Sequence, residues 1–433
     1  MLRIVNLLDI DREELLTRLC RRERAASPDV LSAARAIIDD VRARGDIALR
    51  EITERIERRS LTSIELPRAE WERLADSTAP DVRSALARAH ARIRRFHDEE
   101  ARHLSNAAFA IDEITDGGRS RVELRVRPLA RVGVYAPGGS ARYPSTVLMA
   151  VAAARAAGVG EVLLTTPGPS PEVLHAARIA GVDRVFTLGG AQAIAAFAYG
   201  TETVKRVDKI VGPGNAWVAA AKRIVFGDVA IDSIAGPSEI LVIADARANP
   251  IWAAADLLSQ AEHDGDAAAI LVTPSADLAA RVAAEVERQI VTLPRRAIAE
   301  TAIRSNSAAI VTRDLDEAIA FSERFAPEHL ELLVESAAAI AARITNAGAV
   351  FIGDHTPEAI GDYYAGPNHV LPTAGAARFS SPLGVHDFVK RISMITYSAA
   401  TLRAHAADVK ALAAVEGLDA HARAVTLRTE GGK

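Results

Sequence analysis

Beyond about residue 120, short runs of β-branched and apolar residues alternate with Ala-rich stretches whose apolar positions recur at helical spacing. RVGVYAP leads into a helix predicted through STVLMAVAAARAAG, EVLLTTPG into PEVLHAARIAG, RVFTLGG into AQAIAAFAYG, and DKIVGPG into NAWVAAAKRIVFG. A second series runs EILVIAD, the helix IWAAADLLSQAEHD, AAAILVTPS, the helix ADLAARVAAEVERQI, AAIVTR and later AVFIGD. This is the βαβ rhythm of a parallel sheet covered by helices, and it occurs twice. Upstream, residues 27–107 are Ala-, Arg- and Glu-rich with helical periodicity, as in VLSAARAIIDDVRARG and DVRSALARAHARIRRFHDEEAR. The N-terminal MLRIVNLLDIDREELLTRLCRRER reads as an amphipathic helix, and the tail from about residue 384 is expected to begin helical and end in EGLDAHARAVTLR. The pattern predicts two α/β units with helical additions at both ends; it contains no short fixed-period repeat and no low-complexity linker.

Composition narrows the class without naming a function. At 433 residues the chain exceeds one ordinary core, and 49% hydrophobic with 25% charged residues is the balance of a globular protein. A net charge of −4 and 4% aromatics give neither an electrostatic footprint nor a stacking platform for nucleic acid. The N-terminus has no clean apolar core of a signal peptide, and no stretch approaches the roughly 20 apolar residues of a membrane span. A cytoplasmic protein is expected. The single cysteine, Cys20, excludes an internal disulfide and any Cys-based zinc knuckle, and its helical context suits a small packing residue better than a nucleophile. A metal would therefore need His, Asp, Glu or amide oxygen.

Four Gly-rich segments are expected at strand-to-helix junctions: APGGS (136–140), LGGAQ (188–192), VGPGN (211–215) and AGPSE (235–239). Glycine permits a sharp turn and close ligand approach, and the following helix N-terminus attracts an anion. Each is equally at home as a structural βα turn. GxGxxG after the first strand and GxxxxGK[ST] are both missing, so a dinucleotide would bind without the usual glycine cradle and a P-loop hydrolase is disfavoured.

Candidate ligating groups cluster downstream. Gln260 and His263 in LLSQAEHDGD stand at i and i+3, a spacing that suits either one metal or an ordinary helix surface. Glu328 and His329 follow Pro327, where the chain is not yet mid-helix, and face either a cleft or solvent. GDHTPEAIGDYYAGPNHVLPT gathers Asp354, His355, Glu358, Asp362 and His369 on irregular backbone, and EGLDAHARA adds Glu416 and His421. His355, His386 and His405 have no evident partner and read as structural or exposed. HExxH is absent, which argues against a zincin-type protease.

Together these segments resemble the histidinol dehydrogenase family from about residue 25 to 428. The resemblance rests on VGVYAPGGSARYPSTVLM, GGAQAIAAFAYGTE, DKIVGPGN, AGPSEILVIAD, LLSQAEHD, PEHLEL, NAGAVFIGD, GDYYAGPNHVLPT and EGLDAHARAVTLR, in that order. It implies two incomplete Rossmann-like parallel-sheet domains with helical extensions, in an intertwined homodimer. Residues 1–26 would be an N-terminal extension, 27–134 with 240–383 a discontinuous first domain, 135–239 the second, and 384–433 an extension completing the partner's site. By motif, Gln260, His263, Asp362 and His421 match zinc ligands, one Zn2+ per subunit, and Glu328 and His329 match an acid–base pair. Ser238, His369 and Glu416, with Gln260, His263, His329, Asp362 and His421, match substrate contacts; Tyr135, Gln192 and Asn215 match NAD contacts.

The implied activity is the four-electron oxidation of L-histidinol through L-histidinal to L-histidine. His329 suits the base for the alcohol proton. With Cys20 badly placed for a thioester, Glu328 would activate water to hydrate the aldehyde. Three rivals remain on the page: a sibling NAD-dependent dehydrogenase of another small polar alcohol, a non-catalytic metal- or nucleotide-binding relative, and a phosphoryl transferase. Retention of Glu328 and His329 argues against the second, and the missing P-loop lysine against the third.

Overall fold

The computed structural model describes residues 2–8, 11–20, 27–105, 107–115, 117–138 and 142–430. The chain divides into two compact units, Met1–Asp98 with Leu129–Phe388, and Glu99–Pro128 with Val389–Lys433.

The first unit holds two six-stranded sheets. One has the order β2-β7-β6-β5-β8-β9, built from β2 (Glu65–Leu66), β5 (Arg131–Tyr135), β6 (Glu161–Thr165), β7 (Arg184–Phe186), β8 (Lys209–Val211) and β9 (Ala230–Ile231). Its strands are parallel except β2, which runs antiparallel to β7. The other has the order β1-β12-β11-β10-β13-β14, from β1 (Ile4–Asn6), β10 (Glu239–Ala244), β11 (Ala268–Thr273), β12 (Ala308–Val311), β13 (His329–Leu333) and β14 (Ala349–Ile352), all parallel. In each sheet the chain steps outward from a central strand, then returns to its other side. Each is thus a Rossmann-like half with a topological switch point, at β5/β8 and at β10/β13.

Both faces of both sheets are covered, which is why the strands read as continuous apolar runs. On the first sheet, α2 (Pro28–Arg44), α3 (Asp46–Glu57), α8 (Gly190–Tyr199) and α9 (Ala216–Val225) bury one face around Leu163, Phe186 and Ile210. The opposite face, around Val134, Leu164 and Val185, is covered by α4 (Arg68–Asp76), α5 (Pro80–Ser105), α6 (Pro144–Ala156) and α7 (Pro171–Ala180). Helix α6 carries no charge before Arg155 and is buried from Thr146 to Ala154, as expected of a helix apolar all round. On the second sheet, α10 (Pro250–Ala261), α11 (Ala276–Ile290) and α12 (Arg296–Asn306) cover the face of Ile240, Val242 and Leu271. Its other face takes α1 (Arg12–Cys20), α13 (Leu315–Phe325) and α14 (Ala337–Ala341). Among the described residues no helix is long and apolar enough to cross a membrane.

Three expectations need correction. The N-terminal segment is not one helix: β1 pairs in parallel with β12, because Val5 fills the core between that sheet and α1; residues 1, 9–10 and 21–26, within the expected extension, lie outside the described residues. Residues 27–134 join the sheet of 135–239, not that of 240–383: α2 and α3 share the core of β6, β7 and β8, and β5 lies inside their sheet, while Arg92 on α5 still donates to the Tyr364 carbonyl. The tail does not begin as a long helix: β15 (Val389–Tyr397) pairs antiparallel with β4 (Gly118–Pro128), which also pairs with β3 (Phe109–Thr115). Long-range pairing fixes β15, and no local periodicity announces it.

The second unit is this three-stranded sheet, order β15-β4-β3, with α16 (Ala399–Val415) against β4 and β3 and α17 (Asp419–Thr429) against α16. It leaves many large apolar side chains exposed in this chain, among them Ile114 at 83%, Ile395 at 69% and Val415 at 87%.

Candidate active site

Strands β10 and β13 are neighbours in register, Ile240 opposite His329. Pro327 and Glu328 form the entry to β13 after α13 ends at Phe325, with Ala326 in the left-handed region (φ 54°). Glu328 and His329 are 6% and 4% exposed, which excludes the surface-turn alternative. The backbone N–H of Glu239 donates to Glu328 Oε2 at 2.8 Å, and His329 Nδ1 lies 2.9 Å from the Glu239 carbonyl. A carbonyl only accepts, so Nδ1 carries the proton. Nε2 is left buried, without a hydrogen-bond partner among the described residues, 3.7 Å from both Glu358 Oε1 and Asp362 Oδ1. Those are ion-pair separations, too long for hydrogen bonds.

Burial pushes the Glu328 carboxyl up to about 7, against the pull of His329 and the Glu239 N–H. Burial alone would lower the His329 imidazole, but Glu328, Asp362 and Glu358 outweigh it and raise it to about 10. Glu239, at the head of β10, is raised to about 8 by burial and by Glu328. On the same face of β13 as His329, Glu331 is raised to about 10 by burial and by Asp256. Carboxyl groups are thus crowded into a place where water cannot screen them.

Gln260 stands in the last turn of α10, next to Ser259, and His263 follows in the turn after it. The Gln260 amide is buried, with neither Oε1 nor Nε2 partnered among the described residues. The six-residue helix α15 (Glu358–Tyr363) places Glu358 and Asp362 one turn apart. Donor atoms of His263, Glu358 and Asp362 lie within 4.8 Å of one another. Ser259 Oγ donates to Glu358 Oε2 at 3.2 Å. Burial and Asp362 raise Glu358 to about 8, whereas Asp362 is held far below its usual value by His329 and His369 despite burial. One imidazole and two carboxylates, in a cluster with excess negative charge, fit a divalent cation with N and O ligands. Glu358 is therefore a candidate ligand that the spacing argument passed over, although its i,i+4 relation to Asp362 was legible.

His369 Nδ1 meets the Asp362 carbonyl at 2.9 Å, and its Nε2 stands 3.5 Å from Thr146 Oγ1. Thr146 lies in the first turn of α6, immediately beyond β5, so the cluster borders the ligand-binding edge of the other sheet. There, Tyr135 ends β5 and its hydroxyl accepts from the Gly190 N–H at 3.2 Å. Asn215 caps α9, its Oδ1 accepting from Trp217 and Val218 N–H. Gly212, between Val211 and Asn215, has φ of 113°, and a Cβ there would lie 2.1 Å from the Tyr135 carbonyl; only glycine fits. Lys222 Nζ donates to the Gly212 carbonyl at 3.0 Å and pairs with Asp232, which accepts the Gly212 N–H. Gln192 is 1% exposed and donates to Glu57 Oε1 at 3.0 Å. An open strand edge at a switch point, with a cradle closed to any Cβ, fits a dinucleotide.

Not all expected residues assemble. Ser238 stands half-buried in a loop entering β10; AGPSE is thus a strand entry, not an exit to a helix, because β9 precedes it and β10 follows. Within APGGS, residues 139 and 140 lie outside the described residues. Glu416 and His421 belong to the second unit, at the end of α16 and on α17, both exposed. His355 packs on Trp252, His405 on Tyr397, and His386 is close to Asp387. Glu239 and Glu331 escaped sequence reasoning; the signal was a carboxylate inside an otherwise apolar strand.

Comparison with known proteins agrees with this geometry. The histidinol dehydrogenase family matches residues 20–429. A histidinol dehydrogenase of Cereibacter sphaeroides is 52% identical over 420 residues, covering 96% of this chain and 95% of its own length. One from Geobacter sulfurreducens is 48% identical over 434 residues, covering 99% and 100%. The crystal structure of histidinol dehydrogenase from Elizabethkingia anophelis superposes with a TM-score of 0.89 at 35% identity, covering 99% of this chain and 98% of that one. The chain belongs to the histidinol dehydrogenase family.

Proposed function

We propose that this protein is a zinc- and NAD-dependent enzyme that oxidises L-histidinol through L-histidinal to L-histidine, the closing steps of histidine biosynthesis. The observation that carries the reading is the buried Glu328–His329 pair facing the His263–Glu358–Asp362 cluster. His263, Asp362 and Gln260, with Glu358 beside them, would hold zinc, whose chemistry is to chelate and orient the amino and imidazole nitrogens of the substrate. Tyr135, Gln192 and Asn215 would hold NAD, one molecule in turn accepting each of the two hydrides.

His329 Nε2 accepts the hydroxyl proton as the first hydride leaves carbon, its ring fixed by the Nδ1–H bond to the Glu239 carbonyl. Glu328, poised near neutrality, takes a proton from water as that water adds to the aldehyde, and His329 returns its proton to the aldehyde oxygen, which frees Nε2 to act again. His329 then accepts a proton from the hydrate as the second hydride leaves, giving the carboxylate. NADH formed per histidinol consumed should therefore approach two, measured by absorbance against substrate loss. A ratio of one would overturn the four-electron reading.

The protein is further proposed to act as a homodimer in which His421 and Glu416 of a second copy complete each site. Support comes from the second unit, whose apolar residues Ile114, Ile395, Leu412 and Val415 are exposed in a single chain far beyond what a lone unit tolerates. A heterodimer of a His421→Asn subunit with a His329→Asn subunit should regain up to about half of wild-type turnover, one of its two sites being intact. Isolated heterodimers without activity would exclude the shared site.

A further inference from the structure

In a Rossmann-like half, the adenosine end of a dinucleotide lies over the second and third strands, and a carboxylate at the end of the second strand binds the ribose hydroxyls. Here those strands are β6 and β7. Strand β6 ends in Thr165, followed by Thr166, Pro167 and Gly168, and supplies no carboxylate. One arrives from outside the βα series. Glu57, the last residue of α3, reaches the β7 exit, where its Oε1 accepts from Gln192 Nε2 at 3.0 Å and from the Gly189 N–H at 3.3 Å. Its Oε2 accepts from Arg59 Nη2 at 2.8 Å, and the same Arg59 nitrogen donates to the Thr187 carbonyl at 2.6 Å. A Cβ on Gly189 would meet Glu57 Oε1 and Pro167 at 3.0 Å, so the carboxylate sits directly over the ends of both strands.

Two consequences follow from this placement. The N-cap amide of α8 is already occupied by a carboxylate, so LGGAQ does not present a free anion site as its sequence suggested. Three of the roughly four lone-pair sites of Glu57 are used, and the side chain is 18% exposed. One acceptor position remains for a hydroxyl donor, whereas a phosphate there would meet like charge. Arg59 is 33% exposed and is neutralised by Glu57.

We infer that Glu57 recognises the adenosine ribose of the dinucleotide and sets the preference for NAD over its 2′-phosphorylated form, with Arg59 held back from the 2′-phosphate by its pairing to Glu57. The inference rests on the dinucleotide reading of this sheet edge. It also assigns a role to α3, which no strand exit could supply.

The test is equilibrium binding by the zinc-loaded full-length protein, titrating NADH and NADPH by fluorescence without histidinol. Glu57→Gln keeps the side-chain shape, removes the charge and frees Arg59. NADH binding should weaken about 10- to 100-fold, the loss expected for one charge-assisted hydrogen bond, while NADPH binding holds or tightens. Arg59→Met should move the other way, leaving NADH within about two-fold and weakening any NADPH binding. An unchanged NADH-to-NADPH ratio in Glu57→Gln, or tighter NADPH in Arg59→Met, overturns the assignment. If the wild-type protein binds neither nucleotide, the dinucleotide reading itself falls, and this assignment with it.

Discussion

His329→Asn should lower kcat for both oxidation steps by about 100- to 10,000-fold, the contribution of a positioned general base. Asn keeps a donor toward the Glu239 carbonyl but offers no basic nitrogen where Nε2 now stands. Glu328→Gln should behave differently. It removes a carboxyl that burial poises near neutrality beside His329, and with it the proposed base for hydration, so the aldehyde step should fall far more than the alcohol step. Supplying histidinol and histidinal separately, with NADH formation followed in single-turnover mode, distinguishes the two variants. Equal losses in both half-reactions for both variants would contradict this division. Glu328→Gln also removes the largest positive push on the His329 pKa, so the alcohol-step pH profile of that variant should move to lower pH.

Much of this arrangement was visible in the sequence, and the parts that were not share a cause. The βα alternation gave both parallel sheets because their strands are buried on two faces and read as unbroken apolar runs, as EILVIA does for β10. Glu328, His329, Gln260, His263 and Asp362 were legible as candidates, because ligating residue types at short spacing stand out locally, but only the family resemblance gave them roles. What escaped depended on contacts distant in the chain. β1 earns its strand only by pairing with β12, and β15 only by pairing with β4. Glu239 and Glu328 face one another across adjacent strands separated by 89 residues, and Glu57 meets Gln192 across 135. No window of sequence contains either encounter. AGPSE was misread for the same reason: a glycine-rich turn looks alike before a strand and after one, and only the sheet order tells them apart.

Removing the metal should cost most of the turnover and also change which protonation state the site adopts. Without a cation, Glu328, Glu358 and Asp362 hold the His329 imidazole protonated up to about 10, and a protonated imidazole cannot accept the alcohol proton. A cation at His263, Glu358 and Asp362 takes up part of that negative charge, so the His329 pKa should fall toward its ordinary value and the base form should exist near neutrality. The sign is therefore fixed: any residual rate of chelated enzyme should rise with pH up to about 10, and zinc should move the rise to lower pH. Asp362→Asn attacks the same point through the protein. It removes a proposed ligand outright, so zinc affinity should fall by more than the about 10- to 100-fold typical of losing an outer-shell partner. Metal content by elemental analysis, histidinol affinity by calorimetry and the pH–rate profile check the three claims separately. Loss of rate with histidinol affinity unchanged would show that the metal does not orient the substrate. An unshifted pH profile would show that the carboxylate cluster does not govern His329.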